Sequence, residues 1–146
     1  MTIRLVEIAE DGRPAEDVPA AEPAEACCEA MAALYGRAGF VRPWVGYLAI
    51  QNGQTIGTCG FKSPPQDGRV EIAYFTFPGH EGQGIATSMA RQLVQLTRNI
   101  DTSIAVTAQT LPNENASTAV LRKVGFNRIG LAHDDEVGEV WEWQMT

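Results

Sequence analysis

A mixed α/β fold, with a central and mostly antiparallel sheet carrying helices on both faces, is what this sequence predicts. Three observations predict it. The stretch Val70–Gln95 passes from a β-branched and aromatic run (Ile72, Tyr74, Phe75, Phe77) through Gly82-Gln83-Gly84 into an apolar stripe at Ile85, Met89, Leu93 and Leu96; this is a strand, a glycine turn and a helix in succession. Ahead of it, two strand-like runs joined by Asn52-Gly53 read as a hairpin, because both residues tolerate positive φ. Behind the main helix the pattern continues strand, helix, strand, strand.

Taken in order, Thr2–Ile8 alternates Ile3, Leu5 and Glu7 against Arg4, Val6 and Ile8 and reads as a first strand. Residues 11–23 carry Pro14, Pro19 and Pro23 among alanines and acids and read as a loop. A helix is expected over Ala24–Tyr35, with Cys27, Cys28, Met31, Leu34 and Tyr35 on its inner face and Gly36 as its stop. Trp44–Ile50 and Thr55–Lys62 form the hairpin, and the Ser63–Gly68 turn leads to the strand ending before Pro78-Gly79. Ser103–Thr110 reads as a strand, Asn115–Val124 as a helix ended by Gly125, and Phe126–Leu131 with Val137–Met145 as a closing hairpin. Trp141 and Trp143 share one face of its last strand.

A chain of 146 residues is expected to be a single domain, 1–146, burying about two-thirds of its unfolded surface. No run of about 18 apolar residues occurs and the N-terminus leads into a strand, so the expectation is no membrane span and a cytoplasmic protein. Cys27, Cys28 and Cys59 are odd in number and read as small buried apolar residues. His80 and His133 are far apart in sequence, so no metal site is expected. The net charge is −7 with no Lys/Arg cluster, which argues against nucleic-acid binding and suits an amine-bearing acceptor.

The glycine turn leaves the first N–H groups of its helix without intrahelical partners and aims them, with the helix dipole, at any anion in the loop. The phosphate loop of nucleoside-triphosphate enzymes is disfavoured, because no lysine follows the glycines. A dinucleotide fold is disfavoured as well: Thr87 stands at the sixth position of the motif, and an antiparallel meander precedes it rather than a βαβ unit.

Three segments, E-I-A-Y-F-T-F-P, E-G-Q-G-I-A-T and N-E-N-A-S-T-A-V-L-R-K-V-G-F, resemble the GCN5-related N-acetyltransferases, and more narrowly the branch similar to ribosomal-protein alanine acetyltransferases. The family's acyl-CoA motif, Q/R-x-x-G-x-G/A, is matched by Glu81–Ala86, with Glu81 departing from the usual Gln or Arg. The resemblance implies a sheet splayed between its fourth and fifth strands and acetyl-CoA as co-substrate. The pyrophosphate would sit on the N–H groups of Gln83, Gly84, Ile85, Ala86 and Thr87, with Gly82 and Gly84 permitting close approach. The pantetheine arm would pair with Phe75, Thr76 and Phe77. A family Asn that bonds pantetheine aligns with Glu114, so Asn115 and Asn113 are both candidates, and helix capping is the alternative role for Asn115 and Ser117.

Acetyl transfer to an amine needs a proton acceptor and a proton for the leaving thiolate. By the same resemblance Glu71 is the candidate general base, on a strand face shared with Ala73, Phe75 and Phe77 and opposite Tyr74, and Ser117 is the candidate acid. The second helix lacks the tyrosine that many relatives use, and His80 is a weaker candidate base. Phe40, Trp44, Tyr47 and Trp143 either line the acceptor pocket or belong to the core. The implied function is acetyl transfer from acetyl-CoA to a primary amine, of a small molecule or a protein N-terminus, by direct attack in a ternary complex. The alternatives are a non-catalytic acyl-CoA-binding or sensing module on the same fold, or transfer of another acyl group. A homodimer is the commonest assembly for such domains.

Overall fold

The computed structural model describes residues 2–145. Among them, β1 (Arg4–Glu7), β2 (Gly46–Gln51), β3 (Gln54–Phe61), β4 (Arg69–Thr76), β5 (Ala105–Thr110), β6 (Phe126–Asp134) and β7 (Gly138–Met145) build the sheet. The helices are α1 (Glu22–Ala38), α2 (Ile85–Ile100) and α3 (Ala116–Val124). The strands lie in the order β1-β2-β3-β4-β5-β7-β6, and every neighbouring pair is antiparallel except β4 with β5.

Two tight turns fold β2, β3 and β4 into a meander. Asn52 and Gly53 close the first with φ of 51° and 72°, and Asp67 and Gly68 close the second with φ of 52° and 73°; these are the left-handed pairs that match the twist of flanking strands. The return from β4 to β5 passes through α2 and makes the pair parallel, as a crossover connection does.

That parallel pairing is short. β4 and β5 register from Arg69 against Ala105 to Glu71 against Thr107, and no farther. β3 nevertheless holds β4 as far as Thr76, while β7 takes β5 from Thr107 to Thr110. The two central strands therefore part after Glu71, which is the splay that the family resemblance implies.

Glycines mark where each helix lies on the sheet. A Cβ on Gly46, which pairs with Gly60, would fall 2.7 Å from the Met31 side chain of α1. One on Gly57 would meet Met89 of α2 at 3.2 Å. Gly57 and Gly60 are an odd number of residues apart on one strand, so α1 and α2 cover opposite faces. α3 packs against α2. The core between these layers is dominated by Trp143, Phe77, Phe126, Ile56, Ile72 and Leu93.

Element boundaries differ from expectation at a few places. α1 starts at Glu22 because Pro23 falls within the first turn, where a missing N–H costs nothing. It runs through Gly36, and Gly39 at φ 97° ends it. Tyr35 anchors this helix: its hydroxyl donates to the Ile8 carbonyl at 2.8 Å and accepts from the Gly46 N–H at 2.8 Å. β1 is shorter than expected, Ile8 forming only an isolated bridge with Pro14. β6 extends to Asp134, and its register against β7 slips between Arg128 and Gly130.

Candidate active site

A cleft of about 540 Å³ opens where β4 and β5 separate. Its walls come from three elements. Tyr74, Phe75 and Thr76 of β4 form one side, and the loop through His80, Glu81, Gly82 and Gly84 with Ile85, Ala86 and Thr87 of α2 forms the head. Ala116, Ser117, Ala119, Val120 and Lys123 of α3 close the far side.

The head of the cleft is built from main chain. Gly82 and Gly84 both have φ of 77°, and a Cβ on either would meet nothing within 4 Å, so backbone conformation rather than crowding calls for glycine there. Gly84 is the N-cap of α2 and brings no side chain, so nothing caps the helix. The first intrahelical bond runs from Ser88 N–H to the Gly84 carbonyl at 3.0 Å. The N–H groups of Ile85, Ala86 and Thr87 precede it, which leaves them available to an anion at the positive end of the dipole. The first turn contains no acidic residue.

Glu81 has its own role in the loop. Its Oε1 accepts from the Gly79 N–H at 2.7 Å, and bonds from its own N–H and from Gly79 hold the carboxyl below the usual glutamate range. The residue that departs from the family pattern therefore serves as an internal cap for the turn.

The β4 wall offers a backbone edge. Lys62 N–H donates to the Glu71 carbonyl and Phe77 N–H to the Ile56 carbonyl, both at 2.9 Å. By antiparallel alternation the main-chain groups of Glu71, Ala73, Phe75 and Phe77 face β3. Those of Tyr74 and Thr76 face the space that β5 has vacated. Pairing along this edge thus falls to Tyr74 and Thr76, with Phe75 supplying only its ring, 48% exposed; Phe77 is buried in the core.

Ser117 stands on the cleft wall, and its carbonyl accepts from the Tyr74 hydroxyl at 3.2 Å. Burial pushes the Tyr74 phenol up to about 12, against a smaller lowering from the Ser117 contact. Asn115 is off the wall and caps α3: its side chain accepts from Thr118 N–H at 3.0 Å, and the Thr118 hydroxyl accepts from Asn115 N–H at 2.9 Å. Glu114, where the family places Asn, pairs with Arg122, which is the main cause of its lowered pKa. Gln83 is exposed and off the cleft wall.

A second cavity of about 160 Å³ adjoins the first, sharing Tyr74 and Phe75 with it. It lies on the α1 face, lined by Met31 and Leu34 of the helix and by Thr58, Gly60, Lys62 and Ala73 of the sheet. Glu71 is on this same face, although on neither cavity wall. Its Oε2 lies 2.6 Å from Lys62 Nζ, an ion pair without hydrogen-bond alignment, so this buried oxygen has no hydrogen-bond donor. Cys59 also borders the cavity, and burial pushes its thiol strongly up, away from any thiolate role.

Sequence reasoning missed several of these residues. Tyr74 is read from the sequence only as a strand aromatic opposite the Glu71 face, because its position at the end of the β4–β5 pairing is what brings it to the gap. Lys123 was legible: it recurs with Ala116 and Val120 at i, i+4 and i+7, one face of α3. The aromatic candidates for an acceptor pocket, Trp44, Tyr47 and Trp143, are buried in the core, and Phe40 packs edge-on against Tyr35 at 4.9 Å.

The sequence pattern of the family described as "Acetyltransferase (GNAT) domain" matches residues 4–127. A curated relative, an uncharacterized N-acetyltransferase p20 of Bacillus licheniformis, is 30% identical over 90 residues, covering 61% of this chain and 51% of the relative. The chain thus spans about half the length of the curated relative it matches. Among solved structures, an IAA acetyltransferase from Bacillus cereus aligns over 99% of both chains with a TM-score of 0.70 at 17% identity. The ribosomal-protein acetyltransferase RimL, solved with coenzyme A, aligns over 84% of this chain and 71% of its own at 0.65 and 20% identity. An aminoglycoside acetyltransferase solved with coenzyme A and kanamycin aligns over 70% of this chain and 66% of its own at 0.60 and 23% identity. At these identities the structures speak to the fold, and the family pattern carries the assignment: the chain belongs to the GNAT acetyltransferase family.

Proposed function

We propose that this protein transfers an acetyl group from acetyl-CoA to a primary amine by direct attack in a ternary complex. One observation carries the reading. The uncapped N-terminus of α2 and the open edge of β4 border a single cleft, so a donor for phosphate and a donor–acceptor edge for amides lie along one path. Coenzyme A presents those two groups in that order. Its pyrophosphate sits on the N–H groups of Ile85, Ala86 and Thr87, and its pantetheine amides pair with Tyr74 and Thr76. Lys123 supplies a cation to the phosphates from the opposite wall.

The acetyl end then lies at the neck between the two cavities, and the acceptor amine enters from the α1 side. Glu71 takes the proton from the amine, directly or through water. Ser117 donates toward the leaving sulfur, a modest demand because a thiol titrates at about 8.5. Asn115 supports this site by capping α3. The small second cavity suits a short acyl group and an amine on an apolar stem.

A cytoplasmic location accords with three free thiols, Cys27, Cys28 and Cys59, and among the described residues no helix is long and apolar enough to cross a membrane. The reading treats residues 1–146 as one such domain, with a homodimer as its expected assembly. Calorimetric titration with acetyl-CoA tests the binding half. Saturable binding that weakens with rising salt and with acetyl-pantetheine, which lacks the pyrophosphate, is expected, and no heat at millimolar ligand overturns the reading. If binding appears but no amine elicits thiol release, the chain is an acyl-CoA-binding module.

A further inference from the structure

Of the eleven Lys and Arg residues in this chain only two are lysines, Lys62 and Lys123. Each lines one of the two cavities. For a plain ion pair arginine is the better partner, since its guanidinium meets a carboxylate as a fork. What lysine adds is a nitrogen that can lose a proton and become a nucleophile.

Lys62 is placed for that. Its Nζ is 2.6 Å from Glu71 Oε2, a buried oxygen with no aligned hydrogen bond of its own. An amine and a proton acceptor are therefore already in contact. The two residues face each other across β3 and β4, tied by the Lys62 N–H bond to the Glu71 carbonyl at 2.9 Å. From Lys62 the wall of the second cavity runs through Ala73 to Tyr74 and Phe75, which border both cavities, and Glu71 stands on the same sheet face. Tyr74 and Phe75 stand three and four residues along the strand from Glu71, a step of ~10–13 Å to the neck. The Lys62 side chain is 45% exposed and can swing along the cavity.

We infer that Lys62 is a self-acylation site, modified by the acyl-CoA thioester held in the adjoining cleft. The inference rests on the acyl-CoA reading of that cleft. Glu71 takes a proton from the Lys62 ammonium, and the freed nitrogen bonds to the thioester carbonyl carbon. The carbon–sulfur bond breaks, and its electron pair leaves with the coenzyme A sulfur. Of the two protons the nitrogen loses, one ends on that sulfur and the other passes through Glu71 to solvent. The product is a neutral amide at Lys62. It removes the positive charge from the cavity wall, dissolves the ion pair and frees Glu71 for an acceptor amine. Acyl-CoA supply would thereby set the charge of the acceptor cavity.

The test uses the full chain incubated with acetyl-CoA and no added amine, with peptide mass spectrometry at both lysines. The expected result is one acetyl group on Lys62, with Lys123 unmodified and a rate unchanged on dilution of the protein. Glu71→Gln should slow the modification by about a hundredfold or more, and Lys62→Arg, which keeps the ion pair, should abolish it. Equal modification of Lys62 and Lys123, the same yield on heat-denatured chain, or no effect of Glu71→Gln overturns the inference. Parallel calorimetry separates the two levels. Acetyl-CoA binding without Lys62 modification removes the self-acylation and leaves the proposed function standing, whereas no binding removes both.

Discussion

Glu71 and Asn115 show how one side chain's local partners decide its role. Glu71 is held against the Lys62 ammonium, on the face from which the acceptor amine is proposed to enter. Glu71→Gln should lower kcat/KM for amine acetylation by about a hundredfold or more while leaving the acetyl-CoA dissociation constant unchanged, as steady-state rates and calorimetry on one preparation can establish. Unchanged turnover would remove it as the base. Asn115 is engaged in a reciprocal cap with Thr118, so Asn115→Ala should cost about 1 kcal/mol of stability in denaturant titration. Its acetyl-CoA affinity should hold, and a tenfold loss would assign the side chain to pantetheine instead. Tyr74 titrates far above neutrality, up to about 12, chiefly through burial. Because the folded pKa is raised, its contribution to stability is complete below about pH 10 and falls away above it. The rate profile should accordingly show no limb from this phenol below about pH 10, and Tyr74→Phe should leave the shape of the profile intact.

At the scale of elements, the splay depends on β3 holding β4 closely after β5 has left. Gly57 sits opposite Thr76, and a Cβ there would lie 2.8 Å from the Phe75 carbonyl oxygen and 3.2 Å from Met89. Gly57→Ala should therefore push β4 or α2 outward. A loss of about 1–3 kcal/mol in thermal or denaturant unfolding is expected, with acetyl-CoA affinity falling alongside it; a neutral substitution would show that the strand edge tolerates movement. Most elements were legible because each carries its own punctuation: Asn52-Gly53 for the first hairpin, Gly84 before α2, Gly125 after α3. What misled was punctuation with two physical readings. Pro23 can break a helix or sit in its first turn, and Gly36 can end one or be carried through when another glycine, Gly39, takes the positive φ. The cradle glycines were readable from local sequence alone. The roles of Tyr74 and Lys62 were not, because they depend on where one strand pairing stops and which helix covers which face.

For the whole molecule, the two cavities and their shared neck make sense as a path from cofactor to acceptor. The proposed pyrophosphate site on main chain would suit a protein of net charge −7, since oriented amides and the Lys123 ammonium can hold an anion without a basic surface. The same acidity favours cationic acceptors and predicts association rates that fall with ionic strength. Family membership and fold bring the chain to acyl transfer; the acceptor must be found by experiment, because folds of this kind carry many substrates. The decisive measurement is thiol release from acetyl-CoA across a panel of primary amines, spanning N-terminal peptides, polyamines and aminoglycosides, on the full chain. Release that depends on an amine, saturates with it and is lost in Glu71→Gln is the predicted result. Tight acetyl-CoA binding with no amine-dependent release from any class would contradict it.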